Sequence, residues 1–371
     1  MKNFKITHKR LLFFKERPFF SLALILYLLL LIFTNHNAFL YKTPIAKIIS
    51  VDTQVEKKEI STRKDEEYCY RQTIGAVLLN GKQKGQKVIL KNTYHSSQLI
   101  DHKYHKNDKV LLNINKNTLT GSIKSLKRDV FLLALLGALL LLLLLISKKS
   151  GLLTILTILT NLILYSLGFF FFLNGKNVVF ICNILAFLFS ITTLLFLNGF
   201  HRKTFCAILS TLLVLFIIIK LFDFALFSTS DLDYANMEYL GSLHPAEDFF
   251  KAEILFAGLG AIMDVCVTIS SSLSELLKRN PKLSFSALFS SGKAIGSDIM
   301  GTMINVFLFV FASGLIPTFL LYMNNSYSFF SIAKNYIPYE IIRFLVEGIG
   351  IVVSIPISIL ISSVFLRKKH F

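Results

Sequence analysis

Two hydrophobic periods divide the chain. Over most of its length apolar residues run on for the width of a bilayer, and in one early stretch they alternate with polar ones. Runs of about 18 or more apolar residues predict membrane-spanning helices. Eight are present, over 18–35, 129–147, 151–173, 178–198, 204–222, 251–273, 303–323 and 341–366. Between the first two, residues 41–127 break into strand-type runs at Cys69–Leu79, Lys87–Lys91, Asp108–Asn115 and Gly121–Leu126, with Asn80-Gly81 as a hairpin signal. About five short strands in so short a stretch predict a small barrel resembling an OB-fold. The expected class is an α-helical polytopic membrane protein with an extracytoplasmic β domain. The expected plan is a basic N-terminus (1–17), an anchor helix (18–35), the β domain (41–127), a seven-helix transmembrane domain (129–366) and a basic tail (367–371).

A mean hydropathy of +0.61 agrees with the helical count. The net charge of +18 changes the picture only through its distribution. Much of the excess sits in short flanks, among them Lys9 and Arg10, Lys148 and Lys149, Arg202 and Lys203, Lys278 and Arg279, and Arg367 to Lys369. With eight spans these flanks fall on one side, which the positive-inside rule makes cytoplasmic, with both termini. The Lys-rich 41–127 loop then lies outside; it is longer than the roughly 60-residue limit of that rule. The first run exceeds the 7–15 residue core of a signal peptide and no small-residue cleavage site follows, so it reads as an uncleaved anchor. An external location makes nucleic acid an unlikely partner for the barrel, and a wall polymer, lipid headgroup or protein a better one. Cys69 is alone outside while Cys182, Cys206 and Cys266 lie in spans, so no disulfide framework or zinc spacing is present. His95, His102 and His105 read as surface or structural histidines, and no metal or cofactor is expected.

Polar residues inside the apolar runs are the candidate chemistry. A carboxylate at bilayer depth costs at least about 2.5–3.5 kcal/mol and is a functional candidate by default. Asp264 shares a helical face with Ala257, Gly260, Ala261, Thr268 and Ser271, while Phe256, Leu259, Met263 and Val267 lie opposite. Small residues permit close helix approach, so this stripe is expected to face protein and to place Asp264 in the bundle interior. The alternative role for Asp264 is a buried structural hydrogen bond. In the last run Arg343, Glu347, Gly350, Ser354 and Ser358 share a face, and Arg343 and Glu347 are spaced to pair. Pro356 is expected to loosen the helix there and free a carbonyl. In the seventh, Asp298, Gly301, Thr302 and Asn305 form a polar face; Asp298 is expected near the cytoplasmic boundary, where it would cap a helix dipole, and Asn305 deeper, where it needs a partner. Gly258, Gly260, Gly301 and Gly350 are the expected helix-packing glycines. Thr154, Thr157, Thr160, Asn161 and Asn183 read as packing polarity, and Lys220 as a residue that reaches to the interface. Ser230 and Asp233 form a capping-box pattern in the 223–250 loop. Residues 274–300 read as a cytoplasmic excursion with a break at Asn280-Pro281, a cap at Ser284, and Gly292 and Gly296 punctuating the return.

These stretches carry a resemblance. GLGAIMDVCVTISSSLSEL (258–276), NPKLSFSALFSSGKAIGSDIMGTMINV (280–306) and EIIRFLVEGIGIVVSIPIS (340–358), with KGQKVILKN (84–92) and KNDKVLLNI (106–114), resemble the YibE/F family of bacterial multi-pass membrane proteins. The chain departs from that pattern at Ser297, where the family carries Arg. The resemblance implies a plasma-membrane location and no assigned activity. Because the family name covers a pair of proteins, it also implies a homo-oligomer or a hetero-complex with a second YibE/F-type protein in the lipid bilayer.

Two functions fit. Spans six to eight can form a polar pathway of a transporter or permease-like component. Alternatively the chain is a non-catalytic envelope or assembly factor that binds a partner or polymer through its external domain. An enzyme is not expected: no nucleotide loop, metal motif or Ser/His set occurs. Asp264 and Asp298, as an aspartyl pair, lack the Asp that should follow Gly260.

Overall fold

The computed structural model describes residues 18–60, 66–98, 101–114, 120–228, 246–325 and 327–367. The expectations for the two termini, and the Ser230–Asp233 cap, lie outside the described residues. The chain divides into two compact units, Met1–Gly151 and Leu152–Phe371.

The first unit joins a helical hairpin to a barrel. Helix α1 (Pro18–His36) and helix α2 (Asp129–Ser147) pack together. Tyr27 donates to the Ala134 carbonyl at 2.7 Å, and Gly137 lies flat against the Tyr27 ring. Five strands close into a barrel in the order β1-β2-β3-β5-β4: β1 (Ile45–Ile60), β2 (Glu66–Leu78), β3 (Lys87–His95), β4 (Lys109–Ile114) and β5 (Thr120–Leu126). All pairings are antiparallel except β3 with β5. The sequence pattern left out β1, whose alternation is interrupted by register shifts at Ile48/Ser50 and Val55/Lys57. Each such bulge reverses which side chains face inward.

The barrel core is Ala46, Ile48, Ile74, Ala76, Leu78, Val88, Leu90, Tyr104, Val110 and Leu112. Each larger aliphatic contributes about 1.5–3 kcal/mol on burial. Asn80 does more than turn the chain. Its Oδ1 accepts from the Ile45 amide at 2.6 Å, and its Nδ2 donates to the carbonyls of Tyr41 and Thr43. Gln72, fully buried on β2, exchanges hydrogen bonds with Tyr104 and, with Asn92, fastens the β3–β4 loop across the barrel. The three histidines part company: His95 pairs with Asp101 at 2.6 Å, His102 meets Arg128 at 3.0 Å, and His105 faces Asp108. Where β5 enters α2, the buried Lys127 ammonium donates to Asp129, which also accepts from Tyr41 and Asn37.

The second unit is helical: α3 (Lys149–Leu173), α4 (Val178–Asn198), α5 (Arg202–Ser228), α6 (Ala246–Arg279), α7 (Phe285–Asn324) and α8 (Phe329–Arg367). With α1 and α2 this makes eight helices, among the described residues, long and apolar enough to cross a membrane. The polar residues of α3 do pack: Asn161 bonds Thr192 and Thr193 of α4. Helix α6 sits centrally, against α4, α5, α7 and α8.

The excursion expected over 274–300 shrinks to a short turn. Ser284 caps α7 as expected, accepting from the Ala287 amide at 3.2 Å, but Gly292 and Gly296 do not interrupt the helix. Glycine inside a helix costs only about 1 kcal/mol, and both glycines seat α7 on Ile359 and Ile355 of α8. Likewise α8 runs unbroken through Pro338 and Pro356.

Candidate functional site

The buried face of α8 carries an unusual amount of polarity. Glu347, Ser354, Ser358 and Ser362 have no solvent exposure, and Gly350 lies among them. They recur at three- and four-residue steps, the geometry of one helical stripe. From Arg343 to Ser362 the stripe is about 28 Å long at 1.5 Å per residue. It packs against α5 and α6, whose buried polar residues lie beside it: Ser210 and Thr211 on α5, and Ser270 on α6.

At one end of the stripe is an ion cluster. Arg343 pairs with Glu253 of α6, and with Glu340 at 3.1 Å. Its guanidinium lies over Phe311 at 5.5 Å and Phe250 at 6.0 Å. One turn further in is Glu347. The expected Arg343–Glu347 pair does not form: the guanidinium turns toward the two outer glutamates, and both Glu347 oxygens are buried without a hydrogen-bond partner. Two carboxylates at the outer end outbid one buried carboxyl for the same cation, because that group would first have to be ionised in an apolar setting. Gly258 of α6 admits the side chain; a Cβ there would stand 3.4 Å from Glu347 Cγ. Gly350 does the same for Ile218, which an added Cβ would strike.

The far end is hydroxyl-lined. Ser354 donates to its own helix at 2.6 Å, Ser362 donates to Ser270 at 2.9 Å, and Cys266 lies against Ser358 and Thr211. The Ser358 and Ser363 hydroxyls have no hydrogen-bond partner. Sequence reading found the α8 stripe and missed what faces it. Ser210, Thr211 and Ser270 resemble any span hydroxyl until the neighbouring helices bring them together.

Asp264 is not in the interior. It lies exposed with Ala257 and Gly260, and Thr268 is half-buried beside them. Helix α6 buries the other side, through Leu255, Leu259, Ile262, Val265, Cys266 and Ile269, and Phe256 meets Phe189 of α4. Bulky side chains fill the gaps to four neighbours, whereas a small-residue stripe permits contact without requiring it. Gly260 and Gly301 have open space where a Cβ would go, so only Gly258 and Gly350 of the four expected glycines pack helices.

On α7, Asp298, Gly301, Thr302 and Asn305 do share a face, and that face is exposed. Asn305 satisfies itself on the Gly301 carbonyl at 2.8 Å, and Thr302 on Ile299. Asp298 is no helix cap. It lies about 20 Å beyond the start of α7, and Asp264 about 22 Å before the end of α6, so the two stand at similar depth in the hairpin. Neither has a hydrogen-bond or ion-pair partner among the described residues. No group of His, Cys, Asp and Glu able to hold a metal occurs among the described residues.

The long helices, the barrel and the stripe can be set beside known proteins. No curated protein and no solved structure matches the chain. Residues 39–126, which hold the barrel, match the model of the YibE/F family N-terminal domain. Residues 135–368, which hold the stripe, match the model described as YibE/F-like protein, and the chain therefore belongs to the YibE/F family.

Proposed function

We propose that this YibE/F-family protein is a transporter or permease-like component of a bacterial plasma membrane, without enzymatic chemistry of its own. The observation that carries the reading is Glu347, a carboxyl enclosed by α5, α6 and α8 with neither oxygen paired. Evolutionarily neutral packing would replace so costly a group by an apolar one of similar volume, at no loss of stability. The hydroxyls that continue the stripe supply short polar steps along a helix long enough to cross the bilayer. Basic flanks favour cytoplasmic termini and an external barrel, and the five strands in the order β1-β2-β3-β5-β4 support reading that barrel as OB-type.

A second observation favours an assembly role alongside. Asp264 on α6 and Asp298, Thr302 and Asn305 on α7 are exposed on helices long and apolar enough to cross a membrane. A second copy or a second YibE/F-type protein would cover that face and give its carboxylates donors.

Rescue of a deletion strain by Glu347→Gln and by Asp264→Asn, with membrane abundance measured, separates the two. Normal abundance with failed rescue by Glu347→Gln supports the permease, and full rescue by it overturns the reading. If Asp264→Asn alone fails, assembly through the α6–α7 face leads.

A further inference from the structure

Glu347 has surroundings that select its ligand. Among the described residues, cavities lie by Arg202 and Phe365, by Gly168 and Leu185, by Ser297 and Pro356, and at the barrel mouth by Asn80 and Ile114. Glu347 lines none of them. Its neighbours are close: the Gly258 backbone on α6, and Ile218 and Ile262 packed over Gly350. A metal ion needs six or so oxygen ligands and room for them; here two buried oxygens have no polar partner. A bare carboxylate in this position is penalised far more heavily than a neutral carboxyl, which leaves only ordinary unsatisfied hydrogen bonds.

The charged groups that face it are few. On α8 they are Arg343, one turn away, and Glu340; on α6 there is Glu253. Helix α5 presents Ile218 at this level, and its Lys220–Asp223 pair, joined by Lys251 of α6, lies further along. Helix α7 presents Phe311 to Arg343, and its Asp298 points outward. Arg343 is thus the one cation among the described residues that both sets of carboxyls can share. It stands three residues from Glu340 and four from Glu347, and both spacings place side chains in reach on a helix. Its Nε is buried without a partner.

We infer that Glu347 is a proton-binding site, and that Arg343 takes the proton's place as the neutralising charge when the proton leaves. Resting on the permease reading, this names the coupling species. In the arrangement described, Glu347 holds a proton and Arg343 is held by Glu253 and Glu340. On release the carboxyl O–H bond breaks, its electron pair stays on oxygen, and the proton leaves for solvent at the half-exposed Glu253 end of the stripe. The guanidinium then turns inward to the new carboxylate, and the half-exposed Glu253 is returned to solvent. Binding of a proton reverses each step. Glu347 therefore carries its charge only while Arg343 faces it.

Infrared difference spectroscopy on the full-length protein in lipid vesicles tests this without any transport assay. Above about pH 6 an ordinary glutamate, with a pKa of about 4.3, is ionised. Wild type should still show a neutral carboxylic acid band there, absent in Glu347→Gln and displaced in frequency in Glu347→Asp, which retains the acid should the amide variant fold poorly. In Arg343→Gln the band should persist to higher pH by one unit or more. A Glu347 that is a carboxylate throughout, or a band indifferent to Glu347→Gln and Glu347→Asp, overturns the site. An unchanged pH range in Arg343→Gln overturns the exchange. Failure of Glu347→Gln rescue with the band present, or rescue with the band absent, separates this inference from the permease reading.

Discussion

At Gly350 an added methyl would strike Ile218, and at Gly260 it would meet nothing. The two glycines look alike in sequence, each on the face of a polar residue in an apolar helix, and they differ only in what stands opposite. Gly350→Ala should therefore destabilise by about 1–3 kcal/mol, as overpacking does in a filled core. Gly260→Ala should be neutral or stabilising by up to about 1 kcal/mol, because alanine is the better helix former. Thermal unfolding of the two variants in detergent is the measurement, and equal effects would contradict the packing. The same contrast separates the carboxyls: Glu347 is enclosed because α6 offers Gly258 opposite it, and Asp264 is exposed because the described helices packed on α6 within its unit cover the other side of that helix.

Among the elements, the β3–β4 loop is held by polar contacts that respond to acid. Burial alone would raise the Asp101 pKa, but the His95 amide at 3.0 Å, the His95 ring at 2.6 Å and its charge hold it below the ordinary carboxylate range. A lowered folded-state pKa gives stability that is present above the unfolded value, about 3.9, and is lost as pH falls through the folded one. The loop should thus stay fixed through neutral and mildly acid pH and loosen only below about pH 4. Asp101→Asn should cost roughly 1 kcal/mol at neutral pH, the low end for a charged hydrogen bond because the pair is partly exposed. It should also remove that acid dependence. Limited proteolysis of the loop against pH reads both, and acid loosening that survives in Asp101→Asn would assign it elsewhere.

For the whole molecule the testable quantity is topology. On the proposed topology of eight spans with basic flanks on one side, the barrel unit and both termini lie on opposite faces of the membrane. Protease added to intact cells should cleave within 41–127 and leave a terminal tag intact; protection of the barrel would invert the arrangement and with it the direction of any proton movement through Glu347.

Hydropathy alone was enough for eight helices and one β domain, since transfer free energy is a property of composition and run length and needs no neighbour. It was weaker at helix ends: Ser297 and Asp298 cut the apolar run, yet α7 continues to Phe285 because packing of Gly292 and Gly296 on α8 repays a poor helical stretch. It missed β1, where two bulges break the period of two on which strand reading depends. The polar stripe of α8 was legible because periodicity is local. Which of the stripes is enclosed was not, because enclosure belongs to pairs of helices. Charge pairing followed the same rule. Arg343 and Glu347 satisfy the spacing for a bond within one helix, and only the approach of α6 brings Glu253 to draw the guanidinium away. The sequence by itself determined where apolar surface must be hidden from water. The tertiary structure decided which polar groups are hidden with it, because burial is set by what packs opposite a residue and not by the residue.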